Sequence, residues 1–403
     1  MFYVSNIRKF NNKKKILLVV ILLVFAIIST INIGGFTSAD NGSATNEESL
    51  ASSVFEILND VDLSEMQNMV DGLEDIGLFQ VTIREKIESI LKGEYFTDYS
   101  SLASSIISLL FGDIKSILPF VFTLIAIGIL CNLISNMQST NKSISDTISF
   151  VFLSVTMLIV IIAFKSILYT TNKTITLINT QMQIVFPILI TLLASIGSIA
   201  SVSIYNPMIA VLTGAVSIVF NKFLYPLFIV IFIFTILGSL TDTVKLGKLS
   251  GFLMSTFKWT IGIVFTIFTG FLSVQGISAG KYDGVSIKAT KFAMKSYIPI
   301  IGSYVSDGMD FLILGSVLVK NSIGLIGVII LFITIISPIL MTVIYKLALQ
   351  LCSGILEMTG NAKISNFLAS CSKLLILPIV LIIGIAFMYV ITICLIMCTA
   401  NIF

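Results

Sequence analysis

No histidine occurs anywhere in the 403 residues. That removes the commonest general base, the commonest metal ligand and the one side chain that ordinarily titrates near neutrality. Charge is nearly as scarce, at 11% of the chain, where soluble domains carry about a quarter. There is no Gly-Lys-Ser phosphate loop and no nucleophile elbow, so coupling to nucleotide hydrolysis would need another chain. The five cysteines, Cys131, Cys352, Cys371, Cys394 and Cys398, lie in or beside apolar stretches. Their spacing suits neither a disulfide framework nor a zinc site. Cys394 and Cys398 stand one helical turn apart and read as small apolar residues. The alternating ten-residue strands of an outer-membrane barrel are missing as well. These absences point away from an enzyme, and no catalytic residue, cofactor, metal or nucleic-acid partner is expected.

What the chain has in abundance is apolar sequence, 56% of it. Runs long enough to cross hydrocarbon as helices recur from about residue 117 to the C-terminus. The fold class is therefore all-α: a polytopic helical membrane protein with a small exported N-terminal helical domain. The clearest spans are 117–134, 148–168, 259–277, 322–345 and 374–396. Residues 184–240 are interrupted at Tyr205-Asn206-Pro207 and at Asn221-Lys222. They hold two spans, or one span plus helices that enter and leave on one side. Non-helical backbone at membrane depth survives only where protein or water satisfies it, so these breaks are expected to be buried or to line a cavity. The transmembrane domain, 114–403, is thus read as six to eight membrane helices. Pro187 and Pro226 are 39 residues apart, as are Pro299 and Pro338 at an offset of 112. Such spacing raises the question of an internal repeat, although identities across the offset are poor.

The net charge of +3 conceals an asymmetry: residues 40–100 carry 14 acidic and 3 basic groups. Ahead of them, Arg8, Lys9 and Lys13 to Lys15 precede an apolar run and the small residues Thr37-Ser38-Ala39. Residues 1–39 are a signal peptide cleaved after Ala39, or an uncleaved signal anchor. Either way the acidic helical domain, 40–113, is exported. Within it Leu50, Val54, Leu58 and Val61 form one helical stripe and Met66, Met69, Val70 and Leu73 another. Thr82 and Glu85 form a candidate capping box. So small a domain buries little core alone; it packs on the membrane part, on a copy of itself or on a partner, or else is a loosely ordered solvated lobe.

Orientation is contradictory by charge. Residues 241–258 and 278–298 are both lysine-rich, yet one span separates them, and cytoplasmic loops should be the basic ones. An interfacial cationic helix near 285–298, with Lys288, Lys291 and Lys295 on one face toward lipid phosphates, would resolve the conflict. The lipid bilayer is in any case a partner.

Ionisable groups inside membrane segments are candidate sites. Lys222 has apolar residues on both sides, Asp307 and Asp310 share a helical face near Gly308, and Lys320-Asn321 follow an apolar stretch. They line a polar path or dock a partner helix; alternatively, Lys222 and Lys320 mark span ends and the aspartates an interface. Gly214, Ser217, Gly315, Gly324 and Gly327 would allow close helix approach.

The stretch IKATKFAMKSYIPIIG over 287–302, continuing through Asp307, Asp310, Gly315, Leu318, Lys320-Asn321 and Gly324, resembles the stage III sporulation protein AE family. Tyr345 to Ala348, Thr399-Ala400-Asn401 and, upstream, Asp62 to Glu65 also fit. The resemblance implies a multi-pass protein of the mother-cell membrane around the forespore. It would be a subunit of a multiprotein channel or secretion-like complex, required for endospore formation and late forespore gene expression. Its partners would be the other membrane subunits of that complex, and further copies of itself. Lys288, Lys291, Pro299, Gly302, Asp307, Asp310, Lys320 and Asn321 match the signature, without an implied catalytic role. Two rival readings are a stand-alone small-molecule permease and a structural membrane anchor without a pore.

Overall fold

The computed structural model describes residues 54–72, 82–91, 99–137, 142–240, 246–297 and 302–399. The signal segment 1–39, residues 40–53 and Pro299 lie outside the described residues. Everything described is helix or short turn, with no strand among the described residues. Three short helices come first: α1 (54–60), α2 (Ser64–Asp71) and α3 (Ile83–Leu91). The membrane part follows as α4 (Tyr99–Met137), α5 (Lys142–Ser195) and α6 (Ile199–Ala215). A π-helical segment (Val216–Leu224) runs straight into α7 (Tyr225–Leu240). Then come α8 (Leu246–Tyr297), α9 (Gly302–Met358), α10 (Ala362–Leu374) and α11 (Ile376–Cys398).

Among the described residues, six helical stretches are long and apolar enough to cross a membrane, including Ile144–Ser195, Ile199–Leu240 and Gly308–Met358. Sequence reading separates 148–168 from the apolar residues after 184, whereas the structure joins them in one helix. The supposed breaks at 205–207 and 221–222 are also helical. Pro207 sits within α6, and Asn221-Lys222 lie in the π segment, whose wider turn admits an extra residue without ending the helix. Residues 285–297 are the last turns of α8. Pro187 and Pro338 are inside helices, and Pro226 follows the π segment within the continuous helical run 199–240. Thr123, Thr191 and Thr342 each donate a side-chain hydrogen bond to the carbonyl of the proline four residues earlier, giving that carbonyl a second, local donor in the turn that follows the proline.

Sharp reversals occur where a glycine has positive φ. Gly197 (φ 84°) ends α5 and Gly360 (φ 87°) ends α9. At both, backbone bonds reach back over the last turn: Ser198 N–H to Leu193 O at 3.1 Å, and Asn361 N–H to Leu356 O at 3.1 Å. This left-handed closure is one that only glycine adopts without strain. The resulting neighbours are antiparallel. Gln181 on α5 donates to Thr334 on α9 at 2.6 Å, and Ser353 on α9 donates to the Ser365 carbonyl on α10 at 3.0 Å. The most enclosed helix is α11, with Leu381, Ile382, Ile385, Tyr389 and Ile393 all fully buried.

The N-terminal helices are a small lobe resting on this bundle. Val54, Leu58, Met66, Val70, Ile83 and Ile87 are buried. The capping box is made: Thr82 N–H donates to Glu85 Oε2 at 2.9 Å and Glu85 N–H to Thr82 Oγ1 at 3.3 Å. Ile83 N–H donates to Gln67 Oε1 at 2.8 Å, and Arg84 donates to Asn59 and to the Leu58 carbonyl, tying the three helices together. The lobe packs on α5 and α9. At Gly315, a Cβ would stand 3.1 Å from Ile57 Cδ1, so α1 seats closely against α9 there.

Candidate functional site

Two polar regions distinguish the membrane helices. The first gathers α6, α8, α9 and α11 at the end of the bundle that carries the lobe. The last carbonyls of any helix lack intrahelical donors and bear partial negative charge. At the end of α11 the Lys320 ammonium, fully buried on α9, meets that need: Nζ donates to the Met397 carbonyl at 3.1 Å and to the Thr399 carbonyl. Tyr205 on α6 shares a 2.9 Å hydrogen bond with the Thr399 hydroxyl, and both are buried. The opposite polarity is met one turn up α6. There the first amides face Asp283 of α8, whose carboxylate accepts from Ala200 N–H at 3.0 Å and from Ser201 N–H at 3.3 Å. Asp283 is buried and supplies the anionic cap that the sequence of α6 lacks. The hydroxyls of Ser198 and Ser201 beside it find no partner among the described residues. Close packing holds the arrangement: at Gly324 a Cβ would lie 2.6 Å from Met397 Sδ, and at Gly327 3.1 Å from Tyr389 Oη.

The second region is the outward face of α5. From Phe150 to Ile162 its exposed side chains include Val151, Val155, Leu158 and Ile161, as a lipid-facing helix requires. Beyond that the outward face changes character. Between 165 and 195 the exposed positions include Lys165, Asn172, Lys173, Thr176, Thr180 and Gln183, with no exposed large aliphatic residue among them. The apolar residues of this half, such as Ile175, Ile178, Val185 and Leu189, are buried on its other face. The π segment packs beside α5 and adds the exposed Lys222. Buried oxygens of Asn179, Gln181 and Asn221 lack a hydrogen-bond donor among the described residues. Such a face is costly against hydrocarbon and inexpensive against water or a polar partner.

Of the residues singled out in the sequence, Lys320 belongs to the buried cluster and Lys222 to the open face. Asn321 is half-buried beside Lys320, and Asp310 is half-buried one helical segment earlier; both are engaged with neighbours. Lys288 is exposed near the end of α8. For Lys291, Gly302 and Asp307 the description stops at the backbone. The structure therefore does not bring this set into one site. Sequence reading missed Asp283 and gave Tyr205 and Thr399 no part in a site, since the roles of all three depend on contacts 82 to 194 residues apart. It also missed the α5 face, although the polar run from Lys165 to Gln183 was visible. Gly315, Gly324 and Gly327 are close-approach points as expected, whereas a Cβ at Gly214 would meet nothing within 4 Å.

Comparison with known proteins adds a sequence relationship. A family model described as stage III sporulation protein AE matches residues 81–400. The stage III sporulation protein AE of Bacillus subtilis (strain 168) is 26% identical over 301 residues, covering 74% of this chain and 75% of that one. No solved structure matches.

Proposed function

The chain belongs to the stage III sporulation protein AE family, and on that premise we propose that it is a non-enzymatic membrane subunit of a multiprotein channel or secretion-like complex joining mother cell and forespore. The observation that carries this reading is the outward face of α5. A membrane protein working alone has no reason to present Lys173, Thr176, Thr180 and Gln183 to lipid. Facing a neighbouring subunit or an aqueous passage, the same residues cost little. The lobe supports it too. Its acidic surface, with Glu56, Asp60, Asp62 and Glu65 exposed, stands on the bundle where other exported subunits can reach it. The subunit then resides in the mother-cell membrane around the forespore and acts by assembly with other membrane subunits.

The test is genetic and uses a sporulating host. Deleting the gene abolishes late forespore gene expression and heat-resistant spores, and the full chain restores both. A chain carrying Thr176→Leu and Thr180→Leu is expected to be inserted normally and to fail in restoration. Normal sporulation without the gene would end this reading. Full restoration by the leucine variant would remove the face from it.

A further inference from the structure

Two surfaces of opposite charge project from the same end of this molecule. The first is the lobe, whose residues 54–72 and 82–91 carry seven acidic groups and two basic ones. Glu56, Asp60, Asp62, Glu65, Asp71 and Glu85 are exposed, and Phe55 beside them is 42% exposed. A groove of about 590 Å³ opens at Asp60 and Asp62, lined by residues 59–64, Gln67 and residues 82–84. The second surface is the end of α8. Past the buried Asp283, residues 284–297 hold Lys288, Lys291 and Lys295 and no carboxylate. At helical spacing these three positions share one face with Phe292. Lys288 is exposed and Phe292 is 73% exposed. Neither Lys288 nor Glu56, Asp60 and Glu65 has a hydrogen bond or ion pair to another described residue.

The two surfaces stand at similar height. Gly315, where α1 seats, lies five residues beyond Lys320 along α9, about 8 Å. Lys288 lies five residues beyond Asp283 along α8, again about 8 Å. Lys320 and Asp283 both belong to the buried polar cluster. In each helix the step leads away from the interior contacts of the bundle, Gln181–Thr334 for α9 and Thr235–Ser250 for α8. Whichever side of the membrane holds the lobe therefore also holds these lysines. An exported lobe puts them where lysine is ordinarily scarce, and an acidic surface beside them accounts for their place there.

We propose that the α8 end of one copy docks on the acidic lobe of a second copy in the same membrane. An anionic bilayer would satisfy only the lysines, and a basic subunit only the lobe; a second copy satisfies both. Copies inserted in one membrane share an orientation, so the two surfaces meet side by side at matching height. A single exposed ion pair contributes little. Three lysines around one ring, set against a carboxylate-rich surface with a ring of its own, act together. Because the contact joins unlike surfaces, it repeats from copy to copy around a ring instead of ending at a pair. Self-association is measured without sporulation, so failure of this inference is distinguishable from failure of the channel reading.

The test uses full chains carrying a donor or an acceptor fluorophore at the C-terminus. They are reconstituted in phosphatidylcholine vesicles at low salt, and energy transfer between copies is read. Transfer well above that of dilute, unassociated chains is expected for the parent. One variant reverses the lobe, with Glu56→Lys, Asp60→Lys and Glu65→Lys. The other reverses the α8 end, with Lys288→Glu, Lys291→Glu and Lys295→Glu. Each alone is expected to lose about half or more of the transfer, because like charges now face each other. Mixed, the variants are complementary at both contacts, so transfer between them returns to the parent level, which misfolded chains would not do. No transfer in the parent overturns the proposal and leaves each surface to a different partner. Transfer that survives either reversal, or that mixing fails to restore, overturns it as well.

Discussion

Lys320 and Lys173 belong to neighbouring antiparallel helices, yet one ammonium is enclosed by backbone carbonyls and the other is exposed. The buried lysine lies among groups of defined polarity: the carbonyl end of α11, the Tyr205–Thr399 pair and, facing the opposite helix end, Asp283. The outer lysines of α5 and the π segment have no hydrogen bond or ion pair to another described residue. The contrast separates two uses of one side chain. A lysine that completes a helix terminus contributes to the stability of this molecule. A lysine left outward on an otherwise apolar helix faces something beyond the molecule, whether headgroup, water or neighbouring subunit.

Substitutions can break that comparison, and the largest effect belongs to the buried cluster. Lys320→Ala leaves two helix-terminal carbonyls without their donor and is expected to cost about 1–3 kcal/mol. The loss would appear as earlier thermal exposure of the buried Cys352 and Cys371 thiols to a thiol-reactive dye in detergent. Lys173→Ala in the same assay should leave the transition in place; equal losses would erase the distinction. Asp283→Ala comes next, removing both the hydrogen bonds and the charge at the start of α6, for about 1–2 kcal/mol. Asp283→Asn keeps an acceptor and should recover part of the loss, so an Asn variant as unstable as Ala would argue for charge alone. Tyr205→Phe deletes one buried hydrogen bond and should cost about 0.5–1.5 kcal/mol, read as a shift in the same transition.

The smallest effect lies in the lobe. Hydrogen bonds from the Ser64 side chain and its backbone N–H hold the Asp62 carboxyl below its ordinary value of 3.8. A carboxylate with a lowered folded value stabilises above its unfolded value and loses that contribution as pH falls through the folded one. Asp62→Ala should therefore slightly increase protease cleavage within residues 54–91 at neutral pH. The difference from the parent should vanish in acid below the ordinary carboxylate range. A difference that persists there would assign the effect to something other than the ionised carboxylate.

Local patterns were legible without coordinates. The Thr82–Glu85 capping box and the stripe of Ile83, Ile87 and Ile90 need only residues one turn apart, and both are present as read. Lys320 could be picked out because a charge beside an apolar run is conspicuous. Its partners could not, since the carbonyls of Met397 and Thr399 carry no sequence signal. Asp283 carries no local signal of its own, and only the fold shows it serving the helix that begins at Ile199. Gly214 and Gly324 look alike in sequence, but a close approach exists only where another helix happens to lie.

By itself the sequence determined that this is an all-α polytopic membrane protein of the stage III sporulation protein AE kind. Hydrocarbon length and apolar composition admit few other structures, and the family motif is a linear pattern. Tertiary structure decided where spans merge into single helices, which polar groups are enclosed and which face outward. Those outcomes depend on register between helices, and register is set by packing across many residues rather than by any local stretch of the chain.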